Sequence, residues 1–599
     1  MKKLFRHLSF VFLTVVFCIQ CQKKDQQPIH EDLGSVKTEI LKINKDFNIQ
    51  ITELIQLVEK DTDEKRLQEK FNQLRNTYKK MEWAIEYFLP HSARFINGPA
   101  LPEIEFEEHT VLDPEGLQVL EELLYPYQPE NKTEIVRNLK LLINKTGAIK
   151  TNFETISINR DQVFDTLRQE VFRISSLSIA GFDTPLSGNH LRELPYALES
   201  LKYFLQSISH KTENENYTKI TSIIDSAKNI LKNNNDKDLF NYADFIADYL
   251  NPLGTELLNF KKIEGIKDIE VTTALNKNAA NFYSKNAFNP NAFAPGKNFE
   301  MSNEKAQLGK QLFTDNLLSK NNDRSCRTCH VPEKAFTDGR EKSLSLEGAP
   351  LSRNTPSLNY SAFQHGQFWD MRQADLEGQS SDVITNKEEM HGDLKAILVK
   401  INAHPDYAKT FKNIYKTGKV ETWQLQNALA SYIRSLPKFN SNFDEFMRGN
   451  KNALTPNQKQ GFNLFLGKAK CATCHFLPLF NGTVPPSFTK TEQEVLGTAE
   501  NANNKKLSGD LGRGKFHATV ESLQHSFKTP TLRNINKTAP YMHNGGYQTL
   551  QEVMHFYNKG GGKGFGLKVE NQTLPEDQLY LSEHEINQLI DFMKSLDDN

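Results

Sequence analysis

Apolar residues recur at spacings of four and three along Leu67, Phe71, Leu74, Tyr78, Met81, Ile85 and Phe88. That alternation predicts one hydrophobic stripe on a single long helix. Similar periodicity runs through residues 21–285, with polar breaks at Asp61-Thr62-Asp63 and Asn233-Asn234-Asn235 that read as turns between helices. The pattern predicts an antiparallel helical bundle. It changes at residues 286–298, NAFNPNAFAPGKN, where Pro290, Pro295 and Gly296 mark a linker that continues neither helix nor sheet. Beyond it, over 299–450 and 451–599, short helical patterns alternate with Gly- and Pro-rich loops, as in domains built around a cofactor. The expected fold is therefore mainly α, a helical bundle followed by two further helical domains.

The first residues change the picture of compartment. Lys2, Lys3 and Arg6 precede an apolar run from Leu8 to Phe17, and Cys21 is followed by Gln22-Lys23-Lys24-Asp25. A ten-residue apolar region, interrupted by Ser9 and Thr14, is too short to span a bilayer as a stable helix, so residues 1–20 read as a cleaved export signal. The segment resembles a lipoprotein signal, which implies a lipid anchor on Cys21 and a place on the periplasmic side, at the outer membrane. With 73 basic against 74 acidic side chains, the net charge of -1 argues against nucleic acid as a partner. Six cysteines in 599 residues are too few for a disulfide scaffold.

Four of those cysteines carry the chemistry. Cys326-Arg327-Thr328-Cys329-His330 and Cys471-Ala472-Thr473-Cys474-His475 both read C-x-x-C-H. Two thiols at this spacing can add to the two vinyl groups of a haem, and the following imidazole is then aimed at the iron. Phe336 and Phe476-Leu477 follow as candidate packing for the rings. A shared thiolate zinc site or a pair of redox disulfides would use the same thiols, but neither explains why His follows immediately both times. Two covalently bound haem c groups account for all four thiols, and Cys18 and Cys21 belong to the signal.

Around the motifs, three blocks resemble the bacterial di-haem cytochrome c peroxidase family, including its MauG-like branch. They are Arg353 to Phe363, Gln367 to Arg372 with Leu376, Gln379 and Asn386 to Met390, and Phe527 to Val553. The resemblance covers about half the chain, from Leu308 to Leu596. It implies two cytochrome c-like domains, the peroxidatic haem on His330 and the electron-transfer haem on His475. It also implies Glu389 as the distal acid/base, Gln379 as a distal-pocket amide and Trp369 as a relay between the haems. Lys387 stands where the family has Pro, and Met371 where it has Gly. Gated relatives carry a His between the first motif and the Arg-Asn-Thr-Pro block. Residues 331–352 contain none, and His365, the next along, reads as structural. The distal position of the second haem falls on Tyr557, with Met554, Met542 and His555 as alternatives. A calcium ion would be held by Asn354 and the carbonyls of Thr538 and Pro540.

The implied activity is reduction of hydrogen peroxide to water with electrons from a small donor such as cytochrome c or a copper protein. Two alternatives remain, a MauG-type oxidase of a protein or aromatic substrate and a non-catalytic electron-transfer cytochrome. Within the first half, Gly116 to Pro126 and Ala180 to Pro185 resemble imelysin-like helical domains. Gln118 replaces the His of that family's G-x-H-x-x-E motif while Glu121 is kept, which points to a structural or docking role.

Overall fold

The computed structural model describes residues 33–60, 63–105, 110–209, 215–270, 273–503 and 505–599. Residues 1–32, with the signal reading and Cys21, lie outside the described residues. The architecture is mainly helical, as the periodicity predicts. Among the described residues, the strands form two short antiparallel pairs, β1 (Glu103–Glu105) with β2 (Thr110–Leu112), and β3 (Gln493–Glu494) with β4 (Phe527–Lys528). Among the described residues no helix is long and apolar enough to cross a membrane.

The bundle is built on α1 (Gly34–Glu59), α2 (Glu64–Lys79), α3 (Glu82–Phe88), α4 (Lys132–Thr155), α5 (Arg160–Arg173), α6 (His190–Ser207), α7 (Glu215–Asn233) and α8 (Asn251–Glu264). Asp63 caps α2 by accepting from the Arg66 amide, which satisfies an amide that the helix start leaves without a partner. The stripe from Leu67 to Ile85 is fully buried, but it lies on two helices, not one. The chain breaks at Lys80 and Met81. Lys79 and Glu82 flank the break, both turned inward, with Lys79 Nζ 2.7 Å from Glu82 and 2.6 Å from Asp183. Periodicity alone cannot register such a break, because the apolar spacing continues across it.

The two later domains share one packing device. In the first, α9 (Asn303–Thr314) crosses α11 (Thr422–Arg434), and α10 (Leu376–Thr385) lies alongside. In the second, α12 (Pro456–Leu466) crosses α14 (Glu583–Lys594), with α13 (Leu550–Asn558) nearby. A Cβ on Gly309 would overlap the Ala428 carbonyl and meet Tyr432, and one on Gly461 would overlap the Gln588 carbonyl and meet Phe592. Each crossing therefore needs glycine for backbone to approach backbone.

The hydrophobic cores do not follow the sequence order. Most buried apolar residues from Leu308 to Ile433 form a core of their own, whereas Tyr360 and Phe363 belong to the other one. The bundle and the second of these domains share another, continuous from Val36 to Leu596. The linker is part of the shared core, since Phe288 is buried against Phe363, Phe439 and Phe488. Polar ties cross the same seam, from Asn251 Nδ2 to Met447 O (2.9 Å) and from Arg448 Nε to Tyr283 O (2.7 Å). At its centre Arg533 is fully buried, paired through both terminal nitrogens with Asp444 at 2.9 Å and stacked near Tyr360, Phe439 and Phe480. Asp444→Ala leaves that guanidinium buried without its partner and is expected to cost about 3–5 kcal/mol. Denaturant unfolding measures this, and a loss below about 1 kcal/mol, that of an exposed pair, would show that the pair does not hold the seam.

Candidate functional site

Both C-x-x-C-H motifs fold alike. Cys326–Thr328 and Cys471–Thr473 each form one 3-10 turn, closed by a bond from the second Cys amide to the first Cys carbonyl (3.3 Å in both), which also accepts from the His amide (3.0 and 2.9 Å). The His330 Nδ1 lies 2.9 Å from Phe336 O, and His475 Nδ1 is 3.2 Å from both Phe480 O and Pro530 O. A carbonyl can only accept, so Nδ1 carries the proton and Nε2 keeps a free lone pair. Burial lowers both imidazoles, His475 to about 4, so they are neutral ligands at physiological pH. The four thiols are unpaired, and the two pairs belong to separate domains. No group of three or more His, Cys, Asp or Glu among the described residues is placed to hold a metal ion, so the shared zinc site fails. An anchored imidazole beside two free thiols fits haem c at each motif.

Glu389 lies in a turn after α10, not in a helix. Its Oε1 accepts from Asn386 Nδ2 at 2.8 Å, and its amide bonds Asn386 O. Burial raises the Glu389 carboxyl above the usual range, opposed by the Arg372 charge and the Asn386 bond. Its field reaches both Cys326 and Cys329, which puts it beside the first motif. Adjacent Glu388 is exposed. On α10, Gln379 presents a buried Oε1 that meets no protein donor.

The blocks that carried the sequence resemblance meet at the seam between the later domains. Arg353 bonds Asp510 (2.5 and 2.8 Å) and Asp370 (2.5 Å). The Asn354 amide donates to His543 O at 2.8 Å, and the Trp369 indole donates to Asn354 O at 2.9 Å. The Trp369 carbonyl accepts from the Lys528 amide of β4, also at 2.9 Å. Trp369 thus bridges the two halves. Met371 adopts φ +56, a left-handed conformation that glycine meets without strain, which explains why glycine suits this place. Arg372 stacks on Phe368 at 3.4 Å and pairs with Asp370 at 3.1 Å. Asn354 gives its Nδ2 to Arg340 O at 2.9 Å, which turns Oδ1 elsewhere. Thr538 and Pro540 precede His543 in the loop to which Asn354 is bonded.

Tyr557 on α13 is pushed well above the ordinary phenol range by burial, then by the fields of Cys474, Cys471 and Glu494, so it lies by the second motif. Of the alternatives, Met554 is buried, Met542 is half-buried, and His555 is about half exposed and 3.8 Å from Glu583. His365 packs edge-on against Phe293 at 4.4 Å. Sequence reasoning missed Glu494. Its Oε1 lies 3.4 Å from Cys474 Sγ, Thr573 donates to its other oxygen, and burial pushes it up to about 7. A lone Glu in β3 carries no signal of its own. The sequence was also silent on how the bundle meets this motif. Phe182 packs edge-on against Phe476 (5.6 Å), and Lys470 Nζ donates to Pro185 O at 2.8 Å. Gln118 and Glu121 face the bundle interior, bonded to Asn97 O (2.9 Å) and the Ser187 amide (2.9 Å).

Comparison with known proteins accords with this geometry. The family model for di-haem cytochrome c peroxidase matches residues 303–452. The methylamine utilization protein MauG of Methylorubrum extorquens is 34% identical over 295 residues, covering 49% of this chain and 78% of the relative. The chain belongs to the di-haem cytochrome c peroxidase family. Another relative, the cytochrome-c peroxidase IdrP2 of Denitromonas iodatirespirans, is 32% identical over 274 residues, 43% of this chain and 74% of its own length. Among solved structures, a MauG-like protein associated with microbial copper homeostasis is 28% identical, with a TM-score of 0.43 over 50% of this chain and 91% of that one. The family brings two haem c groups and an oxidoreductase chemistry, and its match leaves the helical bundle outside.

Proposed function

We propose that this chain reduces hydrogen peroxide to water at the His330 site, drawing two electrons from a small donor, a cytochrome c or a copper protein, through the His475 site. The observation that carries the reading is the buried Glu389 carboxyl, raised by burial, whose charge acts on both thiols of the first motif, since an electron-transfer cytochrome has no use for such a group. Bound haem c supplies the iron that takes the peroxide and the redox couple that passes electrons. Glu389 accepts a proton from one peroxide oxygen and returns it to the departing one, which leaves as water, and two protons from solvent with the two donor electrons complete the second water. Asn386 and Arg372 orient that carboxylate. Gln379 positions the peroxide by hydrogen bonding. Trp369, bonded to both halves, relays electrons between them.

Tyr557 beside the second motif favours a second reading, a MauG-type oxidase that draws electrons from a protein or aromatic substrate, because phenolate stabilises oxidised iron. Turnover of peroxide with reduced cytochrome c, set against turnover with aromatic donors, separates the two. Rapid oxidation of cytochrome c supports the peroxidase, and oxidation of aromatic donors alone supports the oxidase.

Three further assignments belong to this reading. A calcium ion would be held by Asn354 and the carbonyls of Thr538 and Pro540, since a hard cation prefers neutral and anionic oxygens. The chain is exported and anchored by lipid on Cys21. The first haem rests open, because residues 331–352 carry no His, Met or Cys and His365 packs on Phe293. The oxidised protein is therefore expected to show one high-spin haem that reacts with peroxide without prior reduction. Tyr557→Phe should change the spectrum of the second haem alone. Two low-spin ferric haems at rest would restore a gated mechanism.

A further inference from the structure

At the second motif a carboxylate touches one of the two thiols. Cys474 Sγ donates to Glu494 Oε1 at 3.4 Å, and the other Glu494 oxygen accepts from the Thr573 hydroxyl. The Thr573 oxygen in turn accepts from the Val495 amide at 2.9 Å, and the Thr573 amide donates to Val495 O at 3.0 Å. This two-way bond fixes the carboxylate from one side. On the other, β4 pairs Phe527 with Glu494 and runs on to Pro530, whose carbonyl accepts from His475 Nδ1 at 3.2 Å. Sulfur, imidazole and carboxylate are therefore mounted on one frame. Among the described residues, no other of the four thiols lies within hydrogen-bond distance of a carboxylate. Cys471 Sγ faces the Ala469 carbonyl at 3.5 Å, and Cys329 meets the Ser343 hydroxyl. The proposed peroxide chemistry makes no use of Glu494.

We propose that Glu494 is a catalytic residue of haem attachment, taking the proton of Cys474 as its sulfur bonds to a haem vinyl group. The inference rests on the di-haem reading, which supplies the vinyl group. In the step the Cys474 S–H bond breaks and the proton passes to Glu494 Oε1. The S–C bond forms at the vinyl carbon next to the ring, and the vinyl double bond opens. Glu494 then delivers the proton to the terminal vinyl carbon as a new C–H bond. No electron is gained or lost, and the carboxylate is regenerated. The thiolate and not the thiol is the nucleophile, and a thiol held away from water ionises poorly by itself. A base already in hydrogen-bond contact removes that obstacle, and such a positioned group is worth on the order of 10² to 10⁴ in rate. Thr573 gives its one proton to the far oxygen, so Oε1 is left for the thiol.

The test expresses the full chain in cells that attach haem, alkylates the denatured protein and reads each cysteine by peptide mass. A cysteine held in a thioether is not alkylated. All four motif cysteines are expected to be protected in the wild type. Glu494→Gln keeps the shape and can still accept from Thr573. In that variant Cys474 is expected to be alkylated in most chains, while Cys326 and Cys329 stay protected and Cys471 still holds the haem. Its pyridine haemochrome spectrum should show an unreacted vinyl group. Glu494→Asp keeps a carboxylate but not the shape, and it should protect Cys474 more fully than Gln does, an order that a purely structural role would reverse. Full protection of Cys474 in Glu494→Gln, or less protection in Glu494→Asp than in Glu494→Gln, overturns the inference. Should the Gln chain not accumulate, the Asp chain decides: Cys474 protected supports the inference, and Cys474 alkylated overturns it. A wild type without covalent haem ends the di-haem reading and this inference with it, whereas a Gln variant identical to a di-haem wild type removes this inference alone.

Discussion

Glu389→Gln is expected to keep both haems and to lower peroxide turnover by a factor on the order of 10² to 10⁴, the usual contribution of a positioned acid/base. Gln is nearly isosteric and can still accept from Asn386 Nδ2, so the loss reports proton transfer and not collapse of the turn. The raised pKa gives a second signature. As a base Glu389 must be ionised, so kcat/KM should fall as the pH drops through its pKa. That limb should lie above the ~4.3 of a free Glu side chain. Arg372 holds the pKa down, so Arg372→Ala should move the limb to higher pH. Near-wild-type turnover in Glu389→Gln would sink the assignment.

Removing either thiol pair should have an equally large effect. Cys326→Ala with Cys329→Ala, or Cys471→Ala with Cys474→Ala, is expected to lower the covalent haem from two per chain to one, read by intact mass. The two losses should differ in consequence. The first pair belongs to a core of its own, so its loss should abolish peroxide turnover and leave the rest folded. Next to the second pair, Ala472 and Leu477 lie within the core shared with the bundle, so its loss should also lower the stability of the bundle. Zinc, or no haem mass, in the wild-type protein would end the di-haem reading.

The site was more legible in the sequence than the way it is mounted. The C-x-x-C-H spacing encodes its chemistry locally, since thiols and imidazole share one turn, and the two 3-10 turns follow from it. Glu389 needed the neighbouring family pattern, because an acidic pair alone is usually solvated, and Glu388 beside it is indeed exposed. Helix existence in the bundle was readable from the apolar spacing, but the break at Lys80 was not. It is set by Lys79, Glu82 and Asp183, an ionic cluster whose last member lies a hundred residues on. For the same reason Glu494 and the burial of Phe288 left no local mark. Each depends on partners that only the folded chain brings near.

That burial of Phe288 bears on how the protein is made. The bundle and the final domain form one cooperative body, and residues 303–434 sit between its two halves as an insertion with a core of their own. A chain emerging from its N-terminus therefore displays the bundle first, with the apolar surface around Phe282 and Phe288 still bare. Only when Phe443, Phe488 and Arg533 arrive can that surface close. The inserted domain keeps most of its apolar contacts within itself and does not depend on that closure. The second motif lies in the last part of the chain to be made, against a bundle already present, so its thiols and the surface that completes the bundle arrive together.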